Sequence, residues 1–93
     1  MKIIRDKYKD IIDPSKLMSV SGETKTQMLV EKIKEELDEL AETDYSDITE
    51  FGDVVEVLFA IAGLSGITSD EILKGMKRKS EKYGKFNDGL VLK

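Results

Sequence analysis

Two clusters of acidic residues carry the chemistry this sequence could do. In "KIKEELDEL", residues 32–40, Glu35, Glu36, Asp38 and Glu39 fall within five positions with no base among them. Beyond a spacer of ten residues, Glu50, Asp53 and Glu56 recur every third position. On helices, Glu36 and Glu39 share one face and Glu50, Asp53 and Glu56 share another, so each cluster concentrates like charge instead of spreading it. The chain has no Cys and no His, which removes thiolate ligands, imidazole ligands and imidazole bases. Carboxylates from two antiparallel helices suit a hard divalent cation, Mg²⁺ or Mn²⁺, held octahedrally by oxygen. Such an ion keeps positions for water and phosphate oxygens, and the chemistry expected is therefore phosphate chemistry. Two blander readings compete. The first is a solvated helix face with Lys32 pairing to Glu36 one turn on. The second is a non-catalytic helical interaction module whose acidic face docks a basic partner.

Three helices must position these groups. Residues 1–13 read as a charged and apolar arm, and "PSKLMSVSGETKT", with the only Pro, as a loop. Helical spacing of Leu29, Ile33, Leu37 and Leu40 predicts a first helix over about 26–42, with Glu36 at the edge of its apolar stripe. "TDYSD" predicts a turn, with Asp44 or Ser46 capping a second helix over about 46–64 that ends between Gly63 and Gly66. Its run "VLFAIAGLSGI" is uncharged all round, which predicts burial and sets Glu50, Asp53 and Glu56 at the entrance to an apolar region. "TSDE" is a capping box opening a third helix, which carries Ile72, Met76 and Tyr83 along one side and stops at Gly84. The fold class expected is all-α, a single domain spanning 1–93.

Size and charge bound the rest. A chain of 93 residues buries little of its surface, so help from a second subunit is expected. Eleven acids and two bases between Glu31 and Glu56 give a local balance of −9; seven bases and two acids from Lys74 to Lys93 give +5. The acidic pI of about 4.9 argues against nucleic acid as a principal partner. The longest uncharged run, Val57 to Ser69, is too short to cross a bilayer, and no signal-like N-terminus is present, so no membrane partner and a cytoplasmic location are expected.

"EELDE" followed by "EFGD" resembles the EExxE then ExxD signature of the all-α nucleoside triphosphate pyrophosphohydrolases, the MazG-like superfamily that includes dimeric dUTPases and phosphoribosyl-ATP pyrophosphohydrolase. "IIRDKYKDII", "DVVEVLFAIAGLSGITSDEI" and "KRKSEKYGKFNDGLVLK" resemble the opening, middle and closing segments of the phosphoribosyl-ATP pyrophosphohydrolase-like branch, so nearly the whole chain is covered. The resemblance implies a MazG-like helical bundle whose core is completed by oligomerisation, as a homodimer or homotetramer. It implies Glu36, Glu39, Glu50 and Asp53 as ligands of Mg²⁺ (or Mn²⁺), with Glu35 and Glu36 as the catalytic carboxylates that hold or deprotonate the attacking water. The implied hydrolase is of the house-cleaning type: it cleaves a nucleotide substrate between the α and β phosphates, giving a nucleoside monophosphate and pyrophosphate. Phosphoribosyl-ATP hydrolysis is the nearer alternative. Arg5, Lys7, Lys32, Lys77, Arg78, Lys82 and Lys85 are the candidate phosphate-binding residues. The spacer between the two clusters is shorter, and Gly52 stands where the branch usually has Ala; both bear on substrate choice more than on chemistry.

Overall fold

Residues 22–42 wind into one continuous helix because nothing in "GETKTQMLVEKIKEELDELAE" breaks it after the opening glycine. A computed structural model describes all of residues 1–93. Helix α1 runs Gly22–Glu42, α2 Ile48–Gly63 and α3 Ser69–Tyr83, preceded by two single 3-10 turns at Asp6–Asp10 and Pro14–Lys16. There is no strand, and the fold is all-α. No helix is long and apolar enough to cross a membrane.

Helix α1 starts four residues before the sequence reading placed it, since Gly22 at φ +57° turns the chain directly into the helix. Helix α2 starts two residues later than expected. Its cap is neither Asp44 nor Ser46 but Asp47, whose Oδ1 accepts from the Thr49 amide at 2.8 Å. Asp44 and Tyr45 instead take left-handed backbone (φ 60° and 58°) and reverse the chain. Thr43 locks that reversal by donating its hydroxyl to the Leu40 carbonyl at 2.7 Å, and the Ser46 hydroxyl donates to the Thr43 carbonyl at 2.6 Å. The capping box of α3 forms as the sequence predicts: the Glu71 amide donates to Thr68 Oγ1 at 3.1 Å, and the Thr68 amide to Glu71 Oε1 at 3.4 Å. Gly84, at φ +81°, ends it.

Helices α1 and α2 form an antiparallel hairpin, and theirs is the only extensive packing between elements. Three residues are buried, Leu29, Glu36 and Leu40, all on α1 and all on one row along the helix. Ile33, half-buried, completes that row, while Leu37, placed by periodicity on the inner stripe, is 46% exposed. A carboxylate thus occupies a core position that the apolar pattern alone assigned to leucine.

The burial expected for α2 is not met by one chain. No residue of α2 is buried, and Ile48, Phe51, Val55 and Leu58 form an exposed row at three- and four-residue spacing on the side away from α1. The radius of gyration is 16.4 Å, against about 12 Å for a compact chain of this length. The accessible surface of 8210 Å² exceeds by about 2,800 Å² what a compact monomer of 10.5 kDa presents.

Candidate metal centre

The two helices of the hairpin meet at their acidic clusters. Glu36 and Glu39, one turn apart on α1, face Glu50 in the first turn of α2. One carboxylate oxygen from each lies within 4.8 Å of the others. The close turn at Thr43–Asp47 makes this meeting possible, because ten intervening residues fold back with no slack.

Electrostatics and burial both mark the trio as costly. Glu36 is only 5% exposed; Lys32 satisfies its Oε1 at 3.1 Å, and its Oε2 is buried with no partner. Glu50 Oε2 is likewise buried without a partner. A buried, unpaired carboxylate oxygen is among the more expensive features a fold can hold. The carboxyl of Glu39 is raised above its ordinary pKa, first by the charge of Glu36 and then by desolvation. That of Glu50 is also raised, chiefly by desolvation and then by the charges of Asp53 and Glu36. Both groups resist being charged where they sit.

A divalent cation answers all these features together. The ligand oxygens of octahedral Mg²⁺ stand at most about 4.2 Å apart, so a small rotation of three glutamate side chains closes a 4.8 Å trio onto one ion. The donor set is all carboxylate, which selects Mg²⁺ or Mn²⁺ over the softer metals. Two orphaned oxygens would gain their missing partner. The residues present therefore fit such an ion.

The remaining sequence candidates divide. Asp53, one turn beyond Glu50, is not among the trio: its Oδ1 accepts from Arg5 Nη2 at 2.6 Å. Glu35 turns to the N-terminal arm and accepts from Lys2 Nζ at 2.9 Å, a contact that holds its carboxyl below the ordinary range; Lys32 lies 3.8 Å from the same oxygen. A cleft of about 500 Å³ adjoins the cluster between the arm, α1 and α2. Arg5, Lys32, Glu36, Asp53 and Glu56 line its polar side, and Leu29, Val57, Ala60 and Leu64 its apolar side. Of the candidate phosphate ligands, Arg5 and Lys32 reach the cleft. Lys7 does not line it, nor do Lys77, Arg78, Lys82 and Lys85 of α3 and the tail. Lys82 instead lies over the Tyr83 ring at 5.2 Å.

The sequence reading had no signal for the ion pairs of Lys2 and Arg5, since the arm lies 33 and 48 positions from its partners. No family model matches the chain, and no curated protein or solved structure matches it either.

Proposed function

We propose that this chain is a Mg²⁺- or Mn²⁺-dependent nucleotide pyrophosphohydrolase, cleaving a nucleoside triphosphate between the α and β phosphates to release a monophosphate and pyrophosphate. One observation carries the reading: three glutamates from two helices converge within 4.8 Å, with two buried oxygens that have no partner. The adjacent cleft, apolar on one side and charged on the other, has the size and character of a small-molecule site.

Glu36, Glu39 and Glu50 would hold the ion, with Asp53 joining from the next turn. When bound, the ion supplies charge neutralisation on the phosphates and a lowered pKa for water. The protein does the rest with its own side chains. Glu35, on the arm side of Glu36 and paired with Lys2 at 2.9 Å, is the carboxylate that would hold the attacking water. Lys32 keeps Glu36 in place at 3.1 Å. Arg5 and Lys32 present positive charge to phosphate oxygens in the cleft, and the apolar wall of Leu29, Val57 and Ala60 receives the base or sugar.

The active form is a homodimer or homotetramer. The surface excess of about 2,800 Å² per chain is in the range that permanent subunit interfaces bury, and the row Ile48, Phe51, Val55 and Leu58 supplies the apolar face such an interface needs. The basic residues of α3, distant from the cleft of their own chain, are then free to reach a neighbouring one.

A pyrophosphate-release screen over common, deoxy and oxidised nucleoside triphosphates, and phosphoribosyl-ATP, tests the proposal with Mg²⁺ or Mn²⁺ present. Release from at least one, lost in Glu39→Gln and Glu50→Gln, is the expected result. Folded, metal-bound protein that releases pyrophosphate from none is the non-catalytic interaction module.

A further inference from the structure

The N-terminal arm reaches the acidic hairpin through two ion pairs, and each takes a carboxylate from a different cluster. Lys2 holds Glu35 of α1 at 2.9 Å, and Arg5 holds Asp53 of α2 at 2.6 Å. The same arm builds one wall of the cleft, through Ile3, Ile4, Arg5 and Asp6. Asp53 stands one turn from Glu50 on α2, beside the carboxylate cluster. Arg5 therefore sits at the boundary between two places that attract charge, the carboxylate cluster and the open cleft.

We propose that Arg5 is a positioning residue that trades partners: it occupies Asp53 until a divalent ion draws that carboxylate toward Glu36, Glu39 and Glu50, and its guanidinium then turns to phosphate oxygens in the cleft. This inference rests on the metal-centre reading above. Three features of the arrangement carry it. Asp53 has one ion-pair partner, Arg5, and a carboxylate cluster with two buried, unpartnered oxygens lies beside it. The Arg5 side chain is 60% exposed, so water and salt screen its pair with Asp53, and that pair is readily exchanged for a divalent ion. The planar guanidinium suits bidentate phosphate contact as well as it suits a carboxylate, and it already faces the cleft. Competition for one carboxylate makes the two events reciprocal: whatever factor the ion loses to Arg5, the arm loses to the ion.

The test is a pair of titrations on the full chain, first with Mn²⁺ alone and then with inorganic pyrophosphate on Mn²⁺-loaded protein. Arg5→Gln should bind Mn²⁺ up to about fivefold more tightly, the range that loss of a weak exposed competitor allows, yet bind pyrophosphate more weakly. Arg5→Lys should restore the wild-type order for Mn²⁺, and Lys9→Gln, an exposed arm residue without an ion pair, should change neither. In wild type, Mn²⁺ should speed tryptic cleavage after Arg5 relative to cleavage after Lys85 in the exposed tail. A purely structural arm gives no such opposition of sign. If Mn²⁺ binds but Arg5→Gln leaves its affinity unchanged or lower, or leaves pyrophosphate binding intact, the exchange is wrong and the metal centre stands. If wild type binds no Mn²⁺, both readings fall together.

Discussion

Glu36 stands on the row that Leu29 and Leu40 bury, where most helices of this kind would carry another leucine. Burying an ionised carboxylate with only one oxygen satisfied costs stability. Replacing it by an apolar side chain of similar size should therefore strengthen the protein in the absence of metal. Glu36→Leu is expected to raise stability in EDTA by about 1 kcal/mol, and to abolish the gain in melting temperature that Mn²⁺ is expected to give wild type. Both are read from thermal melts with and without the ion. The raised carboxyls of Glu39 and Glu50 make a second residue-scale prediction. A group that holds its proton more tightly when folded makes the folded state take up protons relative to the unfolded state, so stability falls as pH rises from the ordinary carboxylate value of 4.5 through the raised folded one. Glu35 and Asp13 act the other way. Their pKa values are lowered by Lys2 and by the Ser15 amide, and stability they contribute above the ordinary range is lost as pH falls through their folded values. In EDTA the melting temperature should rise on acidification from neutrality to just above 4.5 and fall below it, and Glu39→Gln should flatten the upper part of that profile. That glutamates cluster was plain in the sequence. That Glu36 rather than Leu37 lies inside was not, because an apolar stripe reads the same with a carboxylate at its edge as with one in its row.

At the scale of elements, the caps were legible wherever one side chain decides a boundary. Thr68 and Glu71 formed the box their spacing announced, and Gly84 ended α3 with the left-handed backbone that glycine permits. Thr68→Ala should cost about 1 kcal/mol, as loss of a cap does, and should lower helicity without touching metal affinity, since α3 lies outside the cleft. The α1–α2 turn was less legible. Four capping residues in "TDYSD", Thr43, Asp44, Ser46 and Asp47, compete, and the outcome depends on which of them the chain reversal uses. Thr43 and Ser46 were taken by the turn itself, which left Asp47 for the helix. The arm was illegible altogether: its Lys2 and Arg5 find partners across 33 and 48 residues, a separation at which no local pattern survives.

At the scale of the whole molecule, the single chain is too open to account for its own sequence. From Val57 onward helix α2 is apolar on every side, yet α1 is the one helix packed extensively on it, and the exposed row of Ile48, Phe51, Val55 and Leu58 is a continuous face. An exposed apolar face of this extent marks a contact surface. Leu58→Lys, placing a charge at the end of that row, should convert the proposed assembly to monomers in light scattering after size-exclusion chromatography, and lower the melting temperature at micromolar concentration. Wild type that is monomeric at that concentration would contradict the assembly. The uncharged run from Val57 revealed that the second half of α2 needs covering on all sides, and composition revealed an acidic middle and a basic end. Neither can say that the covering is absent within one chain, because that depends on how α3 leaves the hairpin.

The central claim is that Glu36, Glu39 and Glu50 share one divalent ion. Anomalous diffraction from crystals grown with Mn²⁺ tests it most directly. The account predicts a single strong peak bonded to oxygens of all three side chains, with Asp53 turned toward it. A Mn²⁺-saturated crystal in which the three carboxylates remain as they are, with no peak between them, would contradict it.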